Sequence, residues 1–146
     1  MTKITVLYGT ETGNSELLAM DICKSGENAG LECDNFGMDE IENSDFCDIQ
    51  NLLIVCSTWG DGEQPDNAID LFDYVEGLGD GELENMKFSV LALGDTAFDL
   101  FCEAGIQWDN VLEEKGAIRI YDRVDCDVDY EDDAEEWIEN VISKFE

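Results

Sequence analysis

Histidine is absent from the 146 residues, so imidazole acid–base catalysis and histidine-ligated metal sites are excluded. Basic residues are scarce: 7 lysines and arginines stand against 37 aspartates and glutamates, a formal net charge of −30. A field of that sign excludes nucleic acid and anionic membrane as partners. Proline occurs once, at Pro65, inside a polar loop. No stretch approaches the ~18 consecutive apolar residues of a membrane span. The start, MTKITVLYG, carries no hydrophobic region followed by a cleavage site, so the expected location is the cytoplasm. No C-x-x-C pair occurs among the six cysteines, Cys23, Cys33, Cys47, Cys56, Cys102 and Cys126. Several of them fall inside apolar patterns, so reduced structural thiols are expected rather than a disulfide framework or a zinc site.

What is present is an alternation of apolar runs and amphipathic stretches that fits one domain over residues 1–146. Ile4, Val6 and Leu7 run into Gly9 as a buried strand. Residues 16–29 carry Leu17, Leu18, Ile22 and Ala29 at helical spacing up to Gly30. Leu31–Phe36 is a weak, acid-interrupted edge strand, and residues 37–50 are loop with one helical turn. The runs NLLIVCS (51–57) and KFSVLAL (87–93) are apolar on both faces, as central strands of a parallel sheet are. Asp66 or Asn67 is expected to cap a helix through Ala68, Leu71, Phe72 and Val75. A further helix carries Ala104, Trp108, Val111 and Leu112, and Ala117–Val124 is the last strand. The final helix sets Ala134, Trp137, Ile138, Val141, Ile142 and Phe145 at offsets of three and four. The repeated strand–helix order predicts an α/β fold: a doubly wound, five-stranded parallel sheet in three layers α/β/α.

In such a sheet, ligands bind beyond the carboxyl ends of the strands. The first strand opens onto Gly-Thr-Glu-Thr-Gly-Asn-Ser (9–15), after which a helix begins at Glu16, Leu17 and Leu18. Backbone N–H groups and the hydroxyls of Thr10, Thr12 and Ser15 at a helix N-terminus suit a phosphate. A nucleoside-triphosphate loop would end in Gly-Lys-Ser/Thr, and this one contains no cation. A dinucleotide fingerprint would have a third glycine where Glu16 stands. Read alone, the loop could also be a polar helix cap with no ligand. The other two strand ends present Ser57, Thr58, Trp59, Gly60, Asp61 and Gly62, and Gly94, Asp95, Thr96, Ala97, Phe98 and Asp99. Aromatic rings in polar loops at that edge suit a flat heterocycle held between them.

The loop GTETGNS, the run Ser57-Thr58-Trp59-Gly60-Asp61, the pair Gly94-Asp95 and the pair Phe101-Cys102 resemble the three FMN loops of the short-chain flavodoxins in type, order and spacing, over essentially the whole chain. TWGDGEQPDNAIDLFDYV is also similar to the second loop of diflavin-reductase FMN domains. The resemblance implies a flavodoxin-like sheet of strand order 2-1-3-4-5, and that Thr10, Glu11, Thr12, Gly13, Asn14 and Ser15 hold the phosphate of non-covalent FMN. It puts Thr58, Trp59, Gly60 and Asp61 on one face and the reactive edge of the ring system, with Asp95, Phe98, Phe101 and Cys102 on the other side. Phe98 stands where the family usually has Tyr and sometimes Trp, so a flat ring remains without the hydroxyl. The implied function is a low-potential one-electron carrier cycling between semiquinone and hydroquinone, without a substrate of its own. Its implied partners are basic or positively patched reductases and oxidoreductases, met as a monomer. The acidity fits such docking and a saline habitat equally.

Carboxylates around a reduced, anionic flavin cost a few tenths of a kcal/mol each at about 10 Å; several make roughly 1 to 3 kcal/mol, on the order of 50 to 130 mV. An FMN-dependent quinone or nitro reductase is the rival from another class, but no insertion is available to build a substrate pocket. A phosphorylatable receiver domain would need an aspartate where Ser57 and Thr58 stand. The free-standing FMN module of a reductase system is a further reading. A start at Met1 and an end just after a fifth helix lead to the expectation of a free carrier.

In the family the peptide after the loop glycine turns over when the flavin takes up one electron, and Gly60 tolerates the positive φ this needs. Gly60→Ala is expected to lower the oxidised/semiquinone potential by on the order of 40 to 90 mV, from roughly 1 to 2 kcal/mol of backbone penalty. Affinity for oxidised FMN should stay nearly unchanged. Potentiometry that finds the first potential unaltered would remove Gly60 from this role.

Overall fold

The computed structural model describes residues 2–10, 13–58, 63–94 and 102–145. Its sheet has β1 (Lys3–Gly9), β2 (Glu32–Gly37), β3 (Asn51–Ser57), β4 (Lys87–Leu93), β5 (Ile118–Arg119) and β6 (Val124–Cys126). The order is β2-β1-β3-β4-β5 with every pairing parallel, and β6 also pairs with β4. The α-helices among the described residues are α1 (Asn14–Asn28), α2 (Ile69–Glu76), α3 (Glu103–Glu114) and α4 (Glu131–Phe145).

Two hydrophobic layers flank the sheet because its central strands alternate between them. Ile4, Val6, Leu53, Val55, Leu91 and Leu93 pack under α1 and α4 with Ile22, Trp137 and Val141. Leu7, Leu52, Ile54, Cys56, Phe88 and Val90 pack under α2 and α3 with Leu71, Val75, Trp108 and Leu112. Strands buried on both faces read as continuous apolar runs, which is why β3 and β4 match their expected bounds. The apolar stripe of α4 is likewise buried at every expected position.

The helical turn expected between β2 and β3 is a 3-10 segment, Asn43–Asp48, with only Phe46 buried. Two elements depart from expectation. The chain before α2 forms a 3-10 turn, Asp66–Ala68, with no side-chain cap hydrogen bond; Asn67 is used elsewhere. The fifth strand, expected to be continuous, is split into β5 and β6. Charge pairing accounts for the split. Both arginines of the protein stand there, and buried Asp109 on α3 receives Arg119 Nε at 2.8 Å and Arg123 Nη1 at 2.7 Å. Arg123 Nε also reaches Asp125 at 2.7 Å. A buried carboxylate needs such partners, and turning both guanidinium groups inward bends the strand. Buried Ser89 on β4 bridges the gap: its Oγ donates to the Tyr121 carbonyl at 3.0 Å and accepts from Trp137 Nε1 at 3.0 Å.

The close seating of α3 on β4 depends on Gly105. A Cβ there would overlap that of Ala92 and lie 3.0 Å from its Cα. Gly105→Ala gains about 1 kcal/mol of helix propensity, yet overpacking against a strand backbone costs about 1 to 3 kcal/mol or more. Net destabilisation is expected in urea unfolding at constant m-value. A midpoint equal to or above that of the parent would mean that α3 moves freely off the sheet.

Candidate functional site

The register brings three strand ends to one level. Gly9 pairs with Cys56, Cys56 with Ala92, and Ser57 with Leu93. The order reverses direction between β1 and β3, so the loops after them diverge and leave a crevice at the carboxyl edge.

Beyond Gly9 the chain is held by hydrogen bonds from a neighbouring loop. The Thr10 amide donates to Asn67 Oδ1 at 3.0 Å, and Asn67 Nδ2 donates to the Tyr8 carbonyl at 3.3 Å. Thr10 Oγ1 accepts the Gly13 amide at 2.8 Å. Gly13 has φ 91°, a left-handed conformation that glycine adopts without a Cβ penalty, and this turns the loop into the first turn of α1. There the helix points its unpaired amides and the positive end of its dipole at the loop. Ser15 in that first turn is fully buried, and its Oγ lies 2.8 Å from Ser57 Oγ at the end of β3. Two hydroxyls carry two donor protons and their mutual bond uses one, leaving the other for an acceptor.

The third strand end is joined to the second through Thr58. Its amide donates to the Leu93 carbonyl at 3.0 Å, and its Oγ1 accepts the Ala104 amide, in the first turn of α3, at 3.1 Å. The Gly94 amide donates to the Cys126 carbonyl at 2.9 Å. Cys102, at φ 56°, is fully buried, with Sγ 3.6 Å from the Ala92 carbonyl and 3.5 Å from that of Cys126. Burial pushes its thiol up to about 12, so it stays protonated at neutral pH. Its sulfur is turned into the sheet.

Of the sequence-predicted residues, the structure brings together Thr10, Gly13, Asn14, Ser15, Ser57, Thr58, Gly94 and Cys102 at this edge. Glu11, Thr12, Trp59, Gly60, Asp61, Asp95, Phe98 and Phe101 lie outside the described residues. Two supporting residues escaped sequence reasoning. Asn67 reads as a helix cap but tethers the Thr10 loop. Gln64 is the second: its Nε2 donates to the Ala104 carbonyl and to Gln107 Oε1, both at 3.0 Å, and its Oε1 accepts Trp108 Nε1 at 3.0 Å. The available signal was that these amides flank Pro65 between acidic residues. A neighbouring cleft touches Thr10 and Asn67 but is lined by Asp39, Glu42, Asp66 and Asp70, which makes it a poor seat for an anion.

The flavodoxin family model matches residues 6–139. The chain belongs to the flavodoxin family. It is 44% identical over 140 residues to the sulfite reductase [NADPH] flavoprotein alpha-component of Bacillus subtilis, covering 96% of this chain and 23% of that protein. The same component of Vibrio cholerae (strain O395) is 36% identical over 141 residues, 97% of this chain and 23% of that one. The chain thus spans about a quarter of the length of these curated relatives. Among solved structures, a flavodoxin from Streptococcus pneumoniae TIGR4 superposes with TM-score 0.87 at 26% identity, over 99% of this chain and 97% of that one. A cysteine-to-serine variant of Pseudomonas aeruginosa flavodoxin gives 0.86 at 27% identity, over 99% of each chain. FMN is the cofactor of this flavodoxin-family chain, and the uncharged hydroxyl and helix-terminus donors around Gly13 fit its phosphate.

Asn67→Ala deletes both hydrogen bonds that hold the Thr10 segment. An unmade buried bond costs about 1 to 3 kcal/mol, so exchange of the Thr10 amide should quicken by about tenfold or more. Hydrogen exchange followed by NMR measures it. Unchanged protection would show that the loop is held without this side chain.

Proposed function

We propose that the chain is a low-potential one-electron carrier that holds FMN non-covalently at the carboxyl edge of β1, β3 and β4. FMN supplies the redox chemistry, since it can take up and release electrons singly. The protein binds, orients and tunes it. Thr10, Glu11, Thr12, Gly13, Asn14 and Ser15 receive the phosphate, with Ser57 supporting Ser15. Thr58, Trp59, Gly60 and Asp61 line one side of the ring, and Gly94, Asp95, Phe98, Phe101 and Cys102 the other. The observation that carries the reading is the hydroxyl pair of buried Ser15 and half-buried Ser57 at a helix N-terminus opened by Gly13, in a chain whose family is established. No step asks for a side chain that donates protons to a substrate, which accords with the lack of histidine.

The net charge of −30 supports a low potential, because added negative charge on the cofactor meets an unfavourable field. It also supports basic or positively patched redox proteins as partners and a monomeric chain, since two copies repel. No helix among the described residues is long and apolar enough to cross a membrane, and we place the protein in the cytoplasm. A second reading, the FMN module of a reductase system, is favoured by the 44% identity to one part of a sulfite reductase flavoprotein. Both readings give the chain the same task and differ in where its electrons come from.

The purified chain is expected to carry one FMN and to be reduced by dithionite in two separated one-electron steps. It should catalyse no quinone reduction by NADPH on its own. Sustained NADPH–quinone turnover by the isolated chain, or cofactor released by acid that proves not to be FMN, would overturn the carrier reading.

A further inference from the structure

Away from the cofactor edge, Cys23 on α1 and Cys33 on β2 bring their sulfurs to 2.7 Å, the closest approach of any two thiols among the described residues. Both residues are buried and both are free thiols. The other described thiols are engaged differently. Cys56 lies against Gln64 Oε1 at 3.6 Å, Cys102 faces backbone carbonyls, and Cys47 is exposed. Gly26 lies at the same contact: a Cβ there would meet the Cys33 Cβ at 3.4 Å, an ordinary van der Waals distance, which shows how directly α1 packs on β2 at this point. The turn between the two cysteines is already closed by bonds from the Ala29 and Leu31 amides to the Gly26 carbonyl, at 3.1 and 2.9 Å. The sulfurs need to move together by only about 0.7 Å to reach a disulfide bond length of ~2.05 Å.

We propose that Cys23 and Cys33 form a dithiol site that a small hydroperoxide oxidises to an intrachain disulfide. The two sulfurs have unequal tasks. Either sulfur can donate in the shared hydrogen bond; the bond lowers the pKa of the Cys23 thiol and, with burial, raises that of Cys33. The first attack is assigned to Cys23 on that direction. Its sulfur attacks one peroxide oxygen, the O–O bond breaks, a sulfenic acid forms and one water leaves once a proton is taken up. The Cys33 sulfur then attacks Cys23 Sγ; the S–S bond forms, the S–O bond breaks, and a second water leaves. Two electrons pass from the two sulfurs to the peroxide, and the two thiol protons end in water. A small oxidant suits the site because both residues are nearly closed to solvent. The disulfide would join α1, whose N-terminus forms the loop end of the candidate site, to the edge strand β2. None of this depends on FMN being bound.

The test uses the full chain with Cys47→Ser, which removes the exposed thiol, treated with hydrogen peroxide under native conditions. It is then unfolded, alkylated, digested with trypsin and weighed. Two alkyl labels should be lost relative to the untreated protein. Cleavage after Lys24 should release a disulfide-linked pair of peptides carrying Cys23 and Cys33, which dithiothreitol separates. Adding Cys33→Ser should abolish the link and leave Cys23 as a dimedone-reactive sulfenic acid. Full labelling after peroxide, a link through any other cysteine, or dimedone trapping at Cys33 in place of Cys23 in the parent would overturn the proposal.

Discussion

The structure rests on burying β1, β3 and β4 on both faces at a common register. Residues Leu52–Cys56 and Phe88–Ala92 are withdrawn from water completely, and alternate side chains feed two separate cores. At about 25 cal/mol per Å² of apolar surface, this is the term that can offset the conformational entropy of ordering the chain. It also dictates where function can lie. Strands covered on both faces leave only their ends exposed, and parallel register puts those ends side by side. The loops after Gly9, Ser57 and Leu93 meet for that reason, before any ligand is considered.

Electrostatics then decides how an anionic cofactor can be held. A chain of net charge −30 attracts no phosphate through its field, and its two arginines are committed to Asp109, Asp125 and Glu113. What remains is short-range: oriented amides at a helix end, a left-handed glycine that aims them, and hydroxyls brought together from α1 and β3. Such donors work at contact distance and are indifferent to a distant field that salt screens within about 10 Å. The same acidity that complicates binding is the basis on which a low potential and cationic partners are proposed.

The polar contacts around the edge form a connected support. Asn67 holds the Thr10 segment, Thr58 receives an amide of α3, and Gln64 satisfies Trp108 while bonding to the same helix. Each is a buried or half-buried polar group whose bonds offset its desolvation. Together they couple the three strand ends, so displacement of one loop disturbs the next.

Periodicity by itself determined the α/β class, the parallel sheet and the buried face of α4, because local apolar spacing records which face must leave water; the strand order came from the family resemblance. The loop proposed to hold the phosphate was legible for a similar reason: strand, polar loop and helix start are consecutive in the chain. The roles of Asn67 and Gln64, the pairing of Ser15 with Ser57 and the split of the fifth strand around Asp109 belong to the tertiary structure alone. Each joins residues from different elements, so its physical cause is a desolvated polar or charged group seeking a partner that chain order does not reveal. The approach of Cys23 to Cys33 is intermediate. Both lie in one helix–turn–strand unit, but only the packing of α1 on β2 over Gly26 brought their sulfurs together.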